Sequence, residues 1–313
     1  MKNVLVIGNI SEKTKEEFNA MEGYSFRYFK NREALSDSDL AEAEVIVGAV
    51  GEKEVALAPK LEWIQTFSAG ANNYKWLSEK VMLTNAYGAY GDSIAEHMLA
   101  FTLMAMKRLP EYLERQKEQR WELLHDISRF EGAKVVVVGM GAIGSAYAKR
   151  AHALGASVSG VRRTVHDQPD YVEKLCTTKD MNELLADADV VALSLPSTDE
   201  TAGLFDYERL CTIKKGAILI NVGRGDAIVT DALVEAVKEG HFKAVCLDTM
   251  APEPLPEGHP LWTLPNVYIT PHVSGGFRAG VNYENVIAVV RENLRRVARN
   301  EAPLHVVDRN LGY

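Results

Sequence analysis

The feature that most constrains the fold is a regular recurrence of short apolar runs rich in β-branched residues. Many of these runs are bounded by Gly or Pro, and amphipathic segments long enough for helices separate most of them. Strands that alternate with helices predict parallel sheets, and near-continuous apolar character is typical of strands buried on both faces. The predicted strands are Val4–Ile7, Val45–Val47, Trp63–Gln65, Val135–Val138, Val158–Val161, Val190–Leu193, Ala217–Ile220, Ala244–Leu247 and Val267–Ile269.

Length and composition narrow the class of protein further. A chain of 313 residues is too long for one ordinary core and suggests two domains. No apolar run approaches the roughly 20 residues that span a bilayer, and the N-terminus lacks the features of a signal peptide. A net charge of -8 disfavours a nucleic-acid partner. The three cysteines, Cys176, Cys211 and Cys246, have no metal-site or disulfide spacing, so no metal is expected and a cytoplasmic location is the simplest inference.

Two similar α/β units each begin with a strand followed by glycine, at Ile7-Gly8 and at Val138-Gly139. The first unit lacks the later glycines of a dinucleotide-binding turn, whereas the second has all of them. We therefore assign cofactor binding to the second unit and substrate handling to the first.

The segment between the units is predicted as one long helix, Ser93–Gln119, with Asp92 or Ser93 as its N-cap. Pro110 should kink or break this helix. A second helix is predicted over Asn282–Asn300 and should return to the first domain.

The predicted architecture is therefore α/β, with two Rossmann-like, doubly wound parallel-sheet domains. A flavodoxin-like substrate domain, residues 1–96 and 282–313, is discontinuous. A dinucleotide-binding Rossmann domain, residues 97–281, is inserted into it.

The motif Gly139-Met140-Gly141-Ala142-Ile143-Gly144 follows a predicted strand and opens a helix that runs through Ser145–Leu154. Its first glycine permits a tight turn, the second lets a pyrophosphate approach the backbone, and the third lets helix and strand pack closely. The helix N-terminus adds free N–H groups and a positive dipole end. The expected cofactor contacts from the motif are Gly139, Gly141, Ala142, Ile143 and Gly144.

The second strand of this unit, Ala156–Val161, ends in Arg162 and Arg163. An NAD site places a carboxylate there for the ribose 2′-hydroxyl group. Guanidinium groups suit a 2′-phosphate instead. The sequence therefore predicts a preference for NADP(H), while still allowing NAD(H).

Three later loops, each following a predicted strand, carry polar groups: Asn221–Asp226, Asp248–Pro254 and Thr270–Gly276. Ligands bind at this position in open α/β sheets. Reduction of a 2-oxo acid needs a cation for the carboxylate and carbonyl, an acid to protonate the forming alkoxide, and a group that keeps the acid charged and aimed. Arg224, His272 and Glu253 supply these three types.

The order of these loops resembles the D-isomer-specific 2-hydroxy acid dehydrogenase family, whose members share an Asn-x-x-Arg-Gly loop, an Asp-x-x-x-x-Glu-Pro loop and a Pro-His loop after the glycine motif. The resemblance covers essentially the whole chain. Ser68-Ala69-Gly70-Ala71 is similar to the family's substrate-carboxylate loop. Other matching segments are Thr84–Gly88, Ala95–His97, His259–Trp262 and Val307–Tyr313.

The resemblance implies a role for each of these residues. Arg224 would bind the substrate carboxylate and carbonyl, and His272 would be the general acid in reduction and the base in oxidation. Glu253 would hydrogen-bond His272 and favour its imidazolium form. Further implied contacts are the backbone N–H groups of Ala69 and Gly70 to the carboxylate, Asp248 to the nicotinamide carboxamide, and Val222 and Gly275 to the cofactor. A homodimer through the nucleotide domain is also implied.

Three functions remain open from the sequence. The leading hypothesis is an NADP(H)-dependent 2-hydroxy acid dehydrogenase that reduces small 2-oxo acids, glyoxylate and hydroxypyruvate first among them. The runner-up is D-3-phosphoglycerate dehydrogenase, which is weakened because Lys75 is the one nearby basic residue available for a distal phosphate. A dinucleotide-sensing protein similar to the family's transcriptional co-repressors is the alternative from another class.

Overall fold

Two parallel sheets organise the chain, and a computed structural model describes residues 1–276, 280–309 and 311. Within them, one compact unit comprises Met1–Tyr90 with the described part of Phe277–Tyr313, and the other comprises Gly91–Gly276. The predicted domain boundaries, 96/97 and 281/282, lie six and five residues after the boundaries of these units at 90/91 and 276/277.

The first unit contains a sheet in the order β2-β1-β3-β4-β5, in which each pair is parallel. This is the flavodoxin-like order, with its change of winding direction between β1 and β3. The strands are β1 Lys2–Ile7, β2 Tyr24–Phe29, β3 Val45–Gly48, β4 Trp63–Gln65 and β5 Met82–Thr84. The helices are α1 Glu12–Asn19, α2 Asp37–Ala41, α3 Glu52–Ala56 and α10 Tyr283–Ala298.

The second unit contains a sheet in the order β12-β11-β10-β9-β6-β7-β8, again parallel throughout. Read from β6, this is the Rossmann order with one added strand. The strands are β6 Lys134–Val138, β7 Ser157–Val161, β8 Lys174–Cys176, β9 Val190–Leu193, β10 Ile218–Asn221, β11 Ala244–Leu247 and β12 Val267–Ile269. The helices are α4 Gly91–Met106, α5 Leu109–Lys117, α6 Ala142–Ala153, α7 Asn182–Leu185, α8 Tyr207–Thr212 and α9 Thr230–Lys238.

The central strands are buried along their whole length, as their apolar runs predict. In the second unit, Val138, Val191, Leu193 and Leu219 are fully buried members of one apolar cluster. A separate cluster that includes Leu5, Ile46 and Ile64 forms the core of the first unit. The predicted α/β fold with two doubly wound parallel sheets is confirmed.

The prediction of one long helix from Ser93 to Gln119 is wrong, because two helices occupy this segment. The first, α4, begins at Gly91, ahead of both predicted N-caps. It ends before Arg108, whose φ of 54° lies in the left-handed region and cannot continue a helix. Pro110 then falls in the first turn of α5, where its missing N–H group breaks no hydrogen bond.

No helix in the described ranges is long and apolar enough to cross a membrane. Asn310, Gly312 and Tyr313, part of the terminal segment that carries the resemblance, lie outside the described residues.

Candidate active site

The glycine-rich turn lies between β6 and α6, at the point where the winding of the seven-stranded sheet changes direction. Gly139 has a φ of +103°, and a Cβ there would stand 2.7 Å from the carbonyl oxygen of Ser194. A Cβ on Gly144 would stand 2.1 Å from the carbonyl oxygen of Gly139. No side chain fits at these two positions, so the turn keeps its backbone close to the neighbouring strand end.

The turn fits a dinucleotide phosphate because its open side carries small groups and the start of a helix. Gly141 is exposed and is the N-cap of α6, and the half-buried Ala142 and Ile143 form the first turn. The first N–H groups of a helix have no partner within it, and they point outward with the positive end of the helix dipole.

Arg162 and Arg163 follow β7, as the sequence indicates. The backbone N–H group of Arg162 donates to the carbonyl oxygen of Cys176 at 3.0 Å, which extends the pairing of β7 with β8 beyond the strands. Arg162 is half-buried and Arg163 is exposed. Both arginines therefore stand at the carboxyl edge of the sheet, the edge that also carries the glycine turn.

The loop after β10 is shaped by the buried side chain of Asn221. Its amide nitrogen donates to the carbonyl oxygen of Arg224 at 3.0 Å, and its amide oxygen accepts from the N–H group of Gly223 at 3.1 Å. A Cβ on Gly225 would stand 2.0 Å from the carbonyl carbon of Met250, so this loop touches the loop after β11. Sequence reasoning missed Asn221 as an organising residue, although its place at the end of a buried strand was a usable signal.

Arg224 lies half-buried in this loop, and its Nη1 donates to the carbonyl oxygen of Gly223 at 2.7 Å. Burial lowers the pKa of Arg224, while the charges of Asp226 and then Glu253 act to raise it. Its guanidinium group therefore sits within electrostatic range of the carboxylate that contacts His272. Val222 is buried beside it, and its N–H group donates to Leu193 at 3.1 Å.

His272 and Glu253 form a direct pair. The Nδ1 atom of His272 lies 2.6 Å from Oε1 of Glu253, and the two side chains are 50% and 38% exposed. Because Nδ1 is engaged by the carboxylate, Nε2 is the ring nitrogen left to face a substrate. The ring is thus held on one side and accessible on the other, as a proton donor requires.

Asp248 ends up in a different environment from the one expected of a residue that meets the cofactor. Its side chain is fully buried, and its two oxygens accept four hydrogen bonds, from the Thr270 hydroxyl at 2.6 Å, the Val273 N–H group at 2.9 Å, and the Ser274 N–H and hydroxyl groups at 3.1 and 2.5 Å. Burial acts to raise the pKa of Asp248, but these hydrogen bonds together lower it. The contact of Asp248 with the nicotinamide carboxamide therefore stays a prediction. Gly275, the other expected cofactor contact nearby, is half-buried and directly follows Ser274.

The predicted substrate loop, with Ala69 and Gly70, belongs to the first unit and follows β4. The Asn85 side-chain amide donates to the carbonyl oxygen of Ala69 at 2.9 Å, and the Ala86 N–H group donates to the carbonyl oxygen of Ser68 at 2.9 Å. The N–H group of Gly70 donates to the Ser68 hydroxyl at 3.0 Å, so a carboxylate would have to share or replace that bond. Asn85 was not predicted as a site residue, although it directly follows β5.

Comparison with known proteins shows similarity to one family over most of the chain. A family profile described as D-isomer specific 2-hydroxyacid dehydrogenase, NAD binding domain, matches residues 99–274. The chain is 32% identical to glyoxylate/hydroxypyruvate reductase B of Escherichia fergusonii, an alignment that covers 93% of this chain and 89% of the relative.

Two solved structures are similar over nearly the whole chain. A D-isomer specific 2-hydroxyacid dehydrogenase family protein from Aeromonas salmonicida superposes with a TM-score of 0.89 at 28% identity, covering 98% of this chain and 99% of that one. A D-isomer specific 2-hydroxyacid dehydrogenase from Xanthobacter autotrophicus, solved in complex with NADPH and MES, superposes with a TM-score of 0.85 at 27% identity and full coverage of both chains.

Proposed function

The chain belongs to the D-isomer specific 2-hydroxyacid dehydrogenase family, and on that premise we propose that it reduces small 2-oxo acids with NADPH, glyoxylate and hydroxypyruvate being the first candidates. The observation that carries the proposal is the contact of 2.6 Å between His272 Nδ1 and Glu253 Oε1. The charge of Arg224 interacts with the same carboxylate. Relatives of this chain are named as reductases of these two acids, which supports the choice of substrates.

The reaction requires the protein to hold a carboxylate, polarise a carbonyl and deliver one proton. The glycine turn at 139–144 and the arginines after β7 would hold a nicotinamide cofactor, whose chemistry would be hydride transfer to the carbonyl carbon. Arg224 would hold the carboxylate and stabilise the negative charge that develops on the carbonyl oxygen. Its partial burial strengthens that interaction, because water screens it less.

His272 would then donate the proton on Nε2 to the forming alkoxide and become a neutral imidazole. Glu253, on the opposite nitrogen, holds the ring in one orientation by its contact with Nδ1. In the oxidative direction the same nitrogen would accept the proton. The backbone N–H groups of Ala69 and Gly70 stay candidates for additional carboxylate contacts.

Steady-state oxidation of NADPH tests the proposed function directly. We expect turnover with glyoxylate or hydroxypyruvate, and a lower kcat/KM with pyruvate and with phosphohydroxypyruvate. Absence of turnover with every one of these acids, despite binding of NADPH, would overturn the proposal and favour a dinucleotide-sensing role.

The preference for NADP(H) is proposed on the two arginines after β7 and the lack of an acid beside them. A charge-assisted bond to the 2′-phosphate is worth about 1.5–3 kcal/mol, and about 1.4 kcal/mol is tenfold. Replacing both residues, Arg162→Ser with Arg163→Ser, should therefore lower kcat/KM for NADPH by about 10- to 100-fold. The value for NADH should change little.

The control for this experiment is Arg295→Ser, an exposed arginine on α10. This variant should leave both cofactor efficiencies unchanged. Equal or better efficiency of the unmodified protein with NADH would contradict the proposed preference.

A cytoplasmic homodimer is proposed as the working form. Large exposed apolar side chains on α5 and in the segment that follows it support self-association, because apolar side chains that cluster on a surface are typical of protein–protein interfaces. Trp121 and Leu123 are 102% and 84% exposed, and Leu109 and Leu113 of α5 are at least half exposed. Sedimentation velocity measures the oligomeric state directly.

A further inference from the structure

One face of α4 forms hydrogen bonds with the loop that carries His272. The hydroxyl of Ser93 donates to the carbonyl oxygen of Ser274 at 3.1 Å. The Nε2 atom of His97 lies 3.2 Å from the hydroxyl oxygen of Thr270. Ser93 and His97 are four residues apart on α4 and therefore share a face, one turn from each other.

These two contacts fall on either side of the residue that would donate the proton. Thr270 precedes His272 by two positions and Ser274 follows it by two. Between them, His272 has a φ of 52°, in a region that is uncommon for residues other than glycine. Such a backbone persists only where its surroundings hold it.

The direction of the bond between His97 and Thr270 follows from Asp248. Because the four hydrogen bonds to Asp248 lower its pKa despite burial, its side chain is an ionised carboxylate that can only accept. The Thr270 hydroxyl, 2.6 Å away, must therefore donate its one hydrogen to this carboxylate. Its oxygen can then only accept from His97, so Nε2 of His97 carries a hydrogen.

The environment of His97 agrees with a neutral ring in that tautomer. Burial lowers the pKa of His97, and the charge of Asp248 opposes the shift without reversing it. The ring also packs edge-on against Phe101, with centroids 4.4 Å apart. A role in packing alone and a role as hydrogen-bond donor therefore make different demands on a replacement.

We propose that Ser93 and His97 are positioning residues for the reaction at His272, which they serve by donating hydrogen bonds from α4 to the two ends of the loop 270–274. The inference rests on the proposed function, since these contacts are taken to orient the His272 ring for proton transfer. His97 itself touches neither substrate nor cofactor in this scheme.

The test compares His97→Leu, which keeps an apolar side chain against Phe101 but cannot donate, with His97→Gln, whose amide nitrogen can replace Nε2. Small misplacements of a reacting group are costly, so His97→Leu should lower kcat by about tenfold. The Kd for NADPH and the KM for the 2-oxo acid should stay within about twofold, because the change affects orientation rather than binding. His97→Gln should recover most of the lost kcat.

Thr270→Val and a double variant test whether the two residues act through one bond. Since residues in one hydrogen-bond network are not additive, the double variant His97→Leu with Thr270→Val should be no slower than Thr270→Val alone. Glu96→Gln, an exposed change on the same helix, is the matched control and should keep the unmodified kcat. Equal losses in His97→Leu and His97→Gln, or a loss that appears wholly in cofactor affinity, would overturn the proposal.

Hydrogen–deuterium exchange of residues 268–276 separates this inference from the proposed function. If no 2-oxo acid is turned over, the proposed function fails, but exchange still reports on the loop. Faster exchange in His97→Leu and Ser93→Ala than in His97→Gln and Glu96→Gln supports the positioning role. Equal exchange in all four variants overturns it.

Discussion

Replacing His272 with asparagine is expected to lower kcat for 2-oxo acid reduction by about a thousandfold, within the range for removal of a general acid. Asparagine is the sharper substitution because it tolerates the φ of 52° that the backbone adopts here, whereas alanine would add strain to the loss of the proton donor. The side-chain amide can still reach toward Glu253, but it cannot deliver a proton to an alkoxide. Stopped-flow measurement of NADPH oxidation would give the rate of the chemical step.

The Kd for NADPH should be nearly unchanged in the same variant, because the side chain of His272 is not among the expected cofactor contacts. His152→Asn, an exposed histidine in the last turn of α6, is the control for nonspecific effects. A large loss of NADPH affinity in His272→Asn, with kcat preserved at saturation, would show that His272 is mainly structural.

Replacing Arg224 is expected to have an effect of similar size but a different kinetic signature. Arg224→Gln should lower kcat/KM for the 2-oxo acid by about a thousandfold, through a higher KM and a lower kcat together. The guanidinium group would bind the carboxylate in the ground state and the developing oxyanion in the transition state, so both constants should respond. Steady-state kinetics over a wide range of substrate concentration can separate them.

Arg224→Lys distinguishes charge from geometry at this position. Lysine keeps the charge but lacks the planar fork that engages two oxygens, so we expect it to recover about tenfold of the loss at most. Thermal unfolding of both variants checks that removal of a half-buried arginine leaves the fold intact. An unchanged KM in Arg224→Gln, with Arg295→Gln as the surface control, is the result that would remove Arg224 from substrate binding.

The strands that sequence reasoning found and missed differ in their place in the sheets. The predicted runs correspond to nine strands, and most of these lie in the interior of a sheet, where apolar side chains are needed on both faces. The missed strands, β2, β5 and β8, are all edge strands. With one neighbour and partial exposure, an edge strand such as Tyr24–Phe29 mixes polar and apolar residues and has no continuous apolar run.

The break between α4 and α5 shows a similar limit. Pro110 signalled an interruption, and the two helices do separate near it. The break itself, however, lies at Arg108, whose left-handed backbone is not encoded by a residue type that favours it. The side chain of Arg108 donates to the nearby Glu111 at 3.0 Å and to the carbonyl oxygen of His125 at 2.9 Å. The contact with His125, 17 residues further along the chain, is one that local sequence does not predict.

The candidate site divides along the same line. Strand-end loops with a glycine motif, an arginine, a glutamate and a histidine could be read from the sequence, because parallel strands bring their carboxyl ends to one edge. The hydrogen bond between Glu253 and His272 is present in the structure as the family resemblance implies. The hydrogen bonds that the loop 270–274 donates to Asp248 were not predicted. Those between the same loop and the side chains of Ser93 and His97 were not predicted either.

The sequence by itself therefore determined the alternation of strands and helices, the parallel sheets and the candidate residues for proton transfer. These follow from local patterns, since burial on two faces and close backbone approach each restrict residue type over a few positions. The tertiary structure alone decided which buried polar groups pair with one another. That choice depends on hydrogen bonds between segments such as α4 and the loop 270–274, which lie about 180 residues apart along the chain and become neighbours only when the domain has folded.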